Sequence, residues 1–170
     1  MTKKVQKAII AVLLLIVGIT ALKILMVGFD IDEQYAFALS YRLLKGDLPL
    51  KDMWEPHQTS AFLLALIMLP YYKLVGSTGI VLFSRIISML IHGGLMFYLW
   101  SYLKKKVSPV TALATTAIVC FSLPKIMFLA EFSNILMWSL LFSILSLLKY
   151  YELPDESKAR MKGYLLLLLA

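Results

Sequence analysis

The chain has one cysteine, Cys120, and two histidines, His57 and His92, among its 170 residues. A single cysteine excludes a disulfide framework and a metal-thiolate set. Its place inside an apolar run makes it a small buried apolar residue. Acids are scarce too: there are ten, and six of them (Asp30, Asp32, Glu33, Asp47, Asp52, Glu55) fall between 29 and 60. No internal repeat or low-complexity linker divides the chain. The N-terminus is basic and then apolar, but no convincing small-residue cleavage site follows, and the apolar run is longer than a typical signal-peptide core. It is read as an uncleaved first span.

What the chain has in abundance is apolar sequence. Hydrophobic residues fill 61% of positions and the mean hydropathy is +0.83, against roughly 45–50% apolar content in soluble domains. The runs reach the ~20 residues that a helix needs to cross a bilayer. An all-α, polytopic membrane protein follows. The net charge of +7 is not a nucleic-acid footprint, because the lysines cluster beside apolar runs: Lys3, Lys4 and Lys7, then 104–106, then 149–162. Such clusters mark cytoplasmic loops.

Counting every apolar run as a span would put lysines 104–106 outside. Setting aside 60–75, which is short and interrupted by Pro70 before Tyr71, Tyr72 and Lys73, places every basic cluster inside. The expected spans are therefore about 8–29, 79–103, 108–124 and 134–151, with an incomplete one at 163–170. The N-terminus lies in the cytoplasm, and an outer loop at 30–78 carries helices that lie along the membrane surface. All of 1–170 forms one membrane domain of the cytoplasmic membrane.

Within the outer loop, Asp30 and Glu33 have capping-box spacing. The helix they open should end at Gly46, suited to a left-handed cap, with Pro49 beyond. Tyr35, Leu39 and Leu43 share a face that is expected to lie on the membrane.

Acids at the mouth of a membrane bundle usually have a task. Asp32 and Glu33 are the first candidates. Both serve a helix start, but Asp30 can cap alone, which leaves Asp32 to act as a general base or to bind a divalent cation. Asp52, Glu55, His57 and Gln58 form a second group, interleaved with Trp54 and Pro56. Glu55, His57 and Gln58 are candidates for substrate binding. Asp32, Glu55 and His57 are candidates for a divalent metal, although no closed ligand spacing is present. Arg85, six residues inside a span, either snorkels to lipid phosphate or clamps a substrate phosphate. Glu131, in a turn returning to the face of Asp32, is a candidate second acid. His92 is read as a packing or hydrogen-bonding residue, and Gly93 and Gly94 as sites of close helix approach.

In order and spacing, Asp32-Glu33-Gln34-Tyr35-Ala36, Lys45-Gly46-Asp47, Trp54-Glu55-Pro56-His57, the helix closing at Val75-Gly76, and Arg85 resemble the GT-C superfamily of polytopic glycosyltransferases. That superfamily includes protein O-mannosyltransferases and aminoarabinose transferases. The resemblance covers roughly 8–151. It implies transfer of a sugar from a polyprenyl-phosphate donor at the outer membrane face, with Asp32 matching the catalytic acid of the first loop. Glu131 falls where many members carry a second acid, but its surroundings are not a clear match. Members continue through several more spans, so the resemblance also implies that this chain is an N-terminal portion, completed by further spans that a second polypeptide could supply. The alternatives are a non-catalytic membrane subunit or lipid-binding scaffold with the same loop and, behind it, a transporter. A transporter would want midplane polar residues, and only His92 qualifies.

Overall fold

The computed structural model describes residues 2–28, 31–55, 58–122 and 129–153. They form α1 (Lys3–Met26), α2 (Ile31–Lys45), a 3-10 turn (Gln58–Ser60), α3 (Ala61–Leu74), α4 (Ile80–Leu103), α5 (Pro109–Ser122) and α6 (Phe132–Tyr151). The described residues form no named strand. Three helices, α1, α4 and α6, are long and apolar enough to cross a membrane, as expected of a helical membrane protein. At 1.5 Å per residue, the 24 residues of α1 and of α4 each reach roughly 36 Å.

Of the expected third span, the described residues cover only part. Helix α5 has 14 described residues, about 21 Å. Its start follows from Ser108, whose Oγ accepts the Thr111 N–H (3.2 Å), with Pro109 at the first helical position. The expected third-span end at 124, the loop beyond Leu153 and the run at 163–170 lie outside the described residues.

Helix α1 buries no residue, and Leu15, Ile19 and Leu22 on it are all exposed. A helix that is apolar all round needs an apolar surrounding, and lipid supplies one. It runs antiparallel to α4: its end meets Arg85, near the start of α4, while Ile10 and Leu14 face the same cavity as Trp100. One end of the bundle therefore gathers Lys3, Lys4, Lys7, 104–106 and the end of α6. The other end carries α2 and α3.

Helix α2 stops where the sequence places its stop. Gly46 has φ 99°, its N–H bonds to Leu43 O, and the Asp47 N–H bonds back to Arg42 O, each at 3.1 Å. That pair of bonds is a Schellman motif. The face of α2 differs from expectation, however. Leu39, with Tyr35 and Leu43 beside it, packs against Met53 and Ala61, so the stripe meets α3 and the loop rather than lipid. On the adjoining faces of α2, Ala36 and Phe37 pack on Leu64, Met68, Ile80 and Leu129. Apolar positions on these faces of α2 are all used because α3 folds back over it. Helix α3 also continues through Pro70, where the sequence predicts an interruption. Its Phe62 and Leu66 remain exposed, fit for the interfacial position expected of it.

Candidate functional site

The acidic end is organised around Arg85. Its Nε donates to Glu33 Oε1 and its Nη2 to Glu33 Oε2, both at 2.6 Å. Its Nη1 donates to the carbonyls of Leu25 (3.0 Å) and Val27 (2.7 Å), and Nη2 also reaches Gly28 O (3.4 Å). All five guanidinium N–H groups are thus engaged within the protein. One side chain joins α4 to the first turn of α2 and caps the end of α1, where backbone carbonyls concentrate negative charge.

This geometry changes two readings of the sequence. Arg85 was expected at a phosphate, lipid or substrate; in the structure its fork is filled by Glu33 and three carbonyls, and a phosphate would have to displace them. Glu33 was expected to reach back along its own helix in a capping box and stood among the catalytic candidates. Its side chain is buried, and both oxygens bind Arg85. A carboxylate that deep favours its single fixed counter-charge over the local backbone. Asp30, the other half of the box, lies outside the described residues.

Asp32 precedes Glu33 in the first turn of α2 and is half-buried. Consecutive helix residues are ~100° apart, so the carboxylate of Asp32 leaves the helix in another direction from Glu33. It shares a face with Tyr35 at i, i+3. The hydroxyl of Tyr35 donates to Glu55 Oε2 at 2.7 Å, which draws the second acidic group onto that side of α2. Burial, followed by the hydrogen bond and negative charge of Glu55, pushes the Tyr35 phenol up to about 12. Tyr35 therefore stays protonated and keeps donating through the physiological range. Asp52 is committed to its own turn, accepting the Leu48 N–H at 2.9 Å. His57 and the side chain of Gln58 lie outside the described residues, so the Asp32, Glu55 and His57 metal set is not described as a unit. Among the described residues, no three of His, Cys, Asp and Glu gather as a metal site.

Glu131 is the N-cap of α6. Its Oε1 accepts the Asn134 N–H and its Oε2 the Ser133 N–H, both at 3.0 Å, and the residue is buried. The sequence had it as a turn acid available to a two-acid site. The turn instead folds inward: Ala130 N–H bonds Ser88 Oγ on α4 (3.1 Å), and Asn134 Nδ2 bonds Leu129 O (2.8 Å). Glu131 does return to the same end of the bundle as Asp32, but it serves helix-start amides there.

A separate polar cluster sits inside the bundle. His92 Nδ1 accepts from Trp138 Nε1 at 2.9 Å, and its Nε2 lies 3.3 Å from Cys120 Sγ. With Nδ1 accepting, a neutral ring carries its proton on Nε2 and donates toward sulfur. The cluster ties α4, α5 and α6 together, in line with the hydrogen-bonding role read for His92. Gly93 and Gly94 are not points of close approach, since a Cβ on either would meet nothing within 4 Å.

Sequence reasoning missed the pairing of Glu33 with Arg85. The signal was a basic residue deep in an apolar run with an acid at the neighbouring helix start. No family model, curated protein or solved structure matches the chain.

Proposed function

We propose that this chain is a membrane glycosyltransferase module that moves a sugar from a polyprenyl-phosphate donor to an acceptor hydroxyl at the outer face of the cytoplasmic membrane, with the N-terminus inside. The observation that carries the reading is the division of labour between two adjacent acids. Glu33 is consumed in fixing α2 to α1 and α4, and this holds Asp32 at the bundle's acidic end on the side where Tyr35 brings in Glu55. The order of short motifs shared with GT-C glycosyltransferases supports it.

In the proposed step, Asp32 takes the proton of the acceptor hydroxyl as its oxygen bonds to the anomeric carbon. The bond from that carbon to the phosphate oxygen breaks, and polyprenyl phosphate leaves with the electron pair. Glu55, held by Tyr35, orients sugar hydroxyls. The lysine clusters at the other end match the cytoplasmic side by the positive-inside rule.

The test is transfer of labelled sugar from a polyprenyl-phosphate donor to an acceptor, in membranes carrying the chain together with the spans that complete it. Asp32→Asn should abolish turnover at unchanged expression; full activity in that variant would remove Asp32 from the mechanism. A second reading, a non-catalytic subunit or lipid-binding scaffold, is favoured by the internal engagement of Glu33, Arg85 and Glu131 alike. Binding of the donor without turnover in the native protein would decide for it.

A further inference from the structure

An apolar cavity lies toward the end of the bundle away from Asp32. It occupies about 340 Å³ between α1, α4 and α5, walled by Ile10, Leu14, Gly93, Trp100, Leu113 and Ala117 among others. Among the described residues on its wall, the hydroxyl of Thr116 is turned to its own helix, donating to Ala112 O at 2.8 Å. Gly93 opens the wall, because a Cβ there would meet nothing within 4 Å. The slot is therefore shaped for an alkyl chain and offers a polar ligand no partner.

Shape alone does not select among lipids, since a chain gains little by leaving the equally apolar bilayer. The selection comes from the mouth. Trp100 walls the slot and carries Lys104, whose Nζ lies 4.2 Å from the ring centroid. Lys105 and Lys106 follow. On α1, Lys7 stands one turn before Ile10. These lysines are exposed at the interface, where cations draw anionic headgroups.

We propose that this slot binds an anionic phospholipid, with one acyl chain between α1, α4 and α5 and its phosphodiester held by Lys104 and Lys7. The site is distinct from the one proposed for sugar transfer and does not depend on it. It requires only that the helices sit in a bilayer.

Native mass spectrometry of the detergent-purified chain, offered equal phosphatidylglycerol and phosphatidylcholine of identical chains, tests it. One retained phosphatidylglycerol is expected, with roughly 30-fold preference from two lysines. The double variant Lys7→Gln, Lys104→Gln should keep a bound lipid but take the two equally. Gly93→Leu, which fills the slot, should lose both. Equal retention by the native chain would overturn the proposal, as would undiminished retention by Gly93→Leu or a lipid-free dimer joined through this face. Should Gly93→Leu fail to fold, acyl-brominated lipids give a second measurement. Fluorescence quenching by brominated phosphatidylglycerol should exceed that by brominated phosphatidylcholine, and the excess should vanish in Trp100→Phe. An excess that survives in Trp100→Phe overturns the site.

Discussion

The two ends of this bundle use charge in opposite ways. At the acidic end, Arg85, Glu33 and Glu131 are buried, and their polar atoms are spent on one another or on helix termini. At the lysine-rich end, Lys104, Lys105 and Lys106 are exposed; the ion pair there, Lys106 Nζ to Glu152 Oε1 at 2.9 Å, has both side chains roughly half in solvent. A charge in the interior must be matched by fixed partners or it costs several kcal/mol. A charge at the surface is matched by water and counter-ions. The buried group of Arg85, Glu33 and Glu131 therefore stores its electrostatics in the fold, whereas the lysine-rich end presents them outward, as does the half-exposed Arg42–Asp47 pair on α2.

Arg85→Leu should break this contrast most strongly. It leaves Glu33 buried without its counter-charge, and loss of one partner of such a pair costs about 3–5 kcal/mol. Unfolding in detergent, followed by circular dichroism, measures it. Replacing both residues, Glu33→Leu with Arg85→Leu, should recover a large part of the loss, because the orphaned carboxylate is gone. A single variant that loses less than about 1 kcal/mol, the range of a surface pair, would mean that the pair behaves as a solvated one.

Glu131→Ala comes next. It removes the acceptor for two helix-start amides, worth about 1–2 kcal/mol, and amide exchange at Ser133 and Asn134 should quicken first. Asp32→Asn should be smaller still. It removes a charge from a helix N-terminus, worth about 0.3–1 kcal/mol, visible in the same melts. A stable Asp32→Asn protein is what makes its loss of turnover interpretable.

Legibility in the sequence followed the range of the interaction. Gly46 marks the end of α2 through local backbone chemistry, and the helix stops beside it. Gly79 has φ 78°, and the hydroxyl of Tyr71 lies 2.8 Å from where a Cβ would stand, so two requirements meet at one glycine. The membrane character was equally plain from run length. By contrast, Glu33 and Arg85 are 52 residues apart, and no spacing rule links them. The stripe Tyr35, Leu39, Leu43 was visible as apolar, but periodicity reports a buried face and not what buries it. Lipid and α3 give the same pattern. Asp32 and Glu55 are joined in the sequence only as candidates, with His57, for one metal; the hydrogen bond from Tyr35 to Glu55 spans 20 residues and is tertiary.

The smallest effect is expected at Lys106 and Glu152, and its pH dependence separates two contributions. The hydrogen bond from Tyr102 (2.6 Å) comes first and the contact with Lys106 second in holding the Glu152 carboxyl below the usual carboxylate range. A folded-state value lowered in this way means that the contact is fully formed above the ordinary carboxylate range, and that it is lost as the pH falls through the lowered value. Carboxyl chemical shifts of Glu152 followed by NMR should show this. Tyr102→Phe and Lys106→Gln should each move the titration up. Salt should shrink the Lys106 contribution and leave that of the Tyr102 hydrogen bond, because screening acts on exposed charge pairs. At neutral pH, Lys106→Gln should leave the unfolding midpoint where it was. A midpoint that fell as far as that of Arg85→Leu would show the lysine-rich end holding the fold together by charge as well. The contrast drawn between the two ends would then fail.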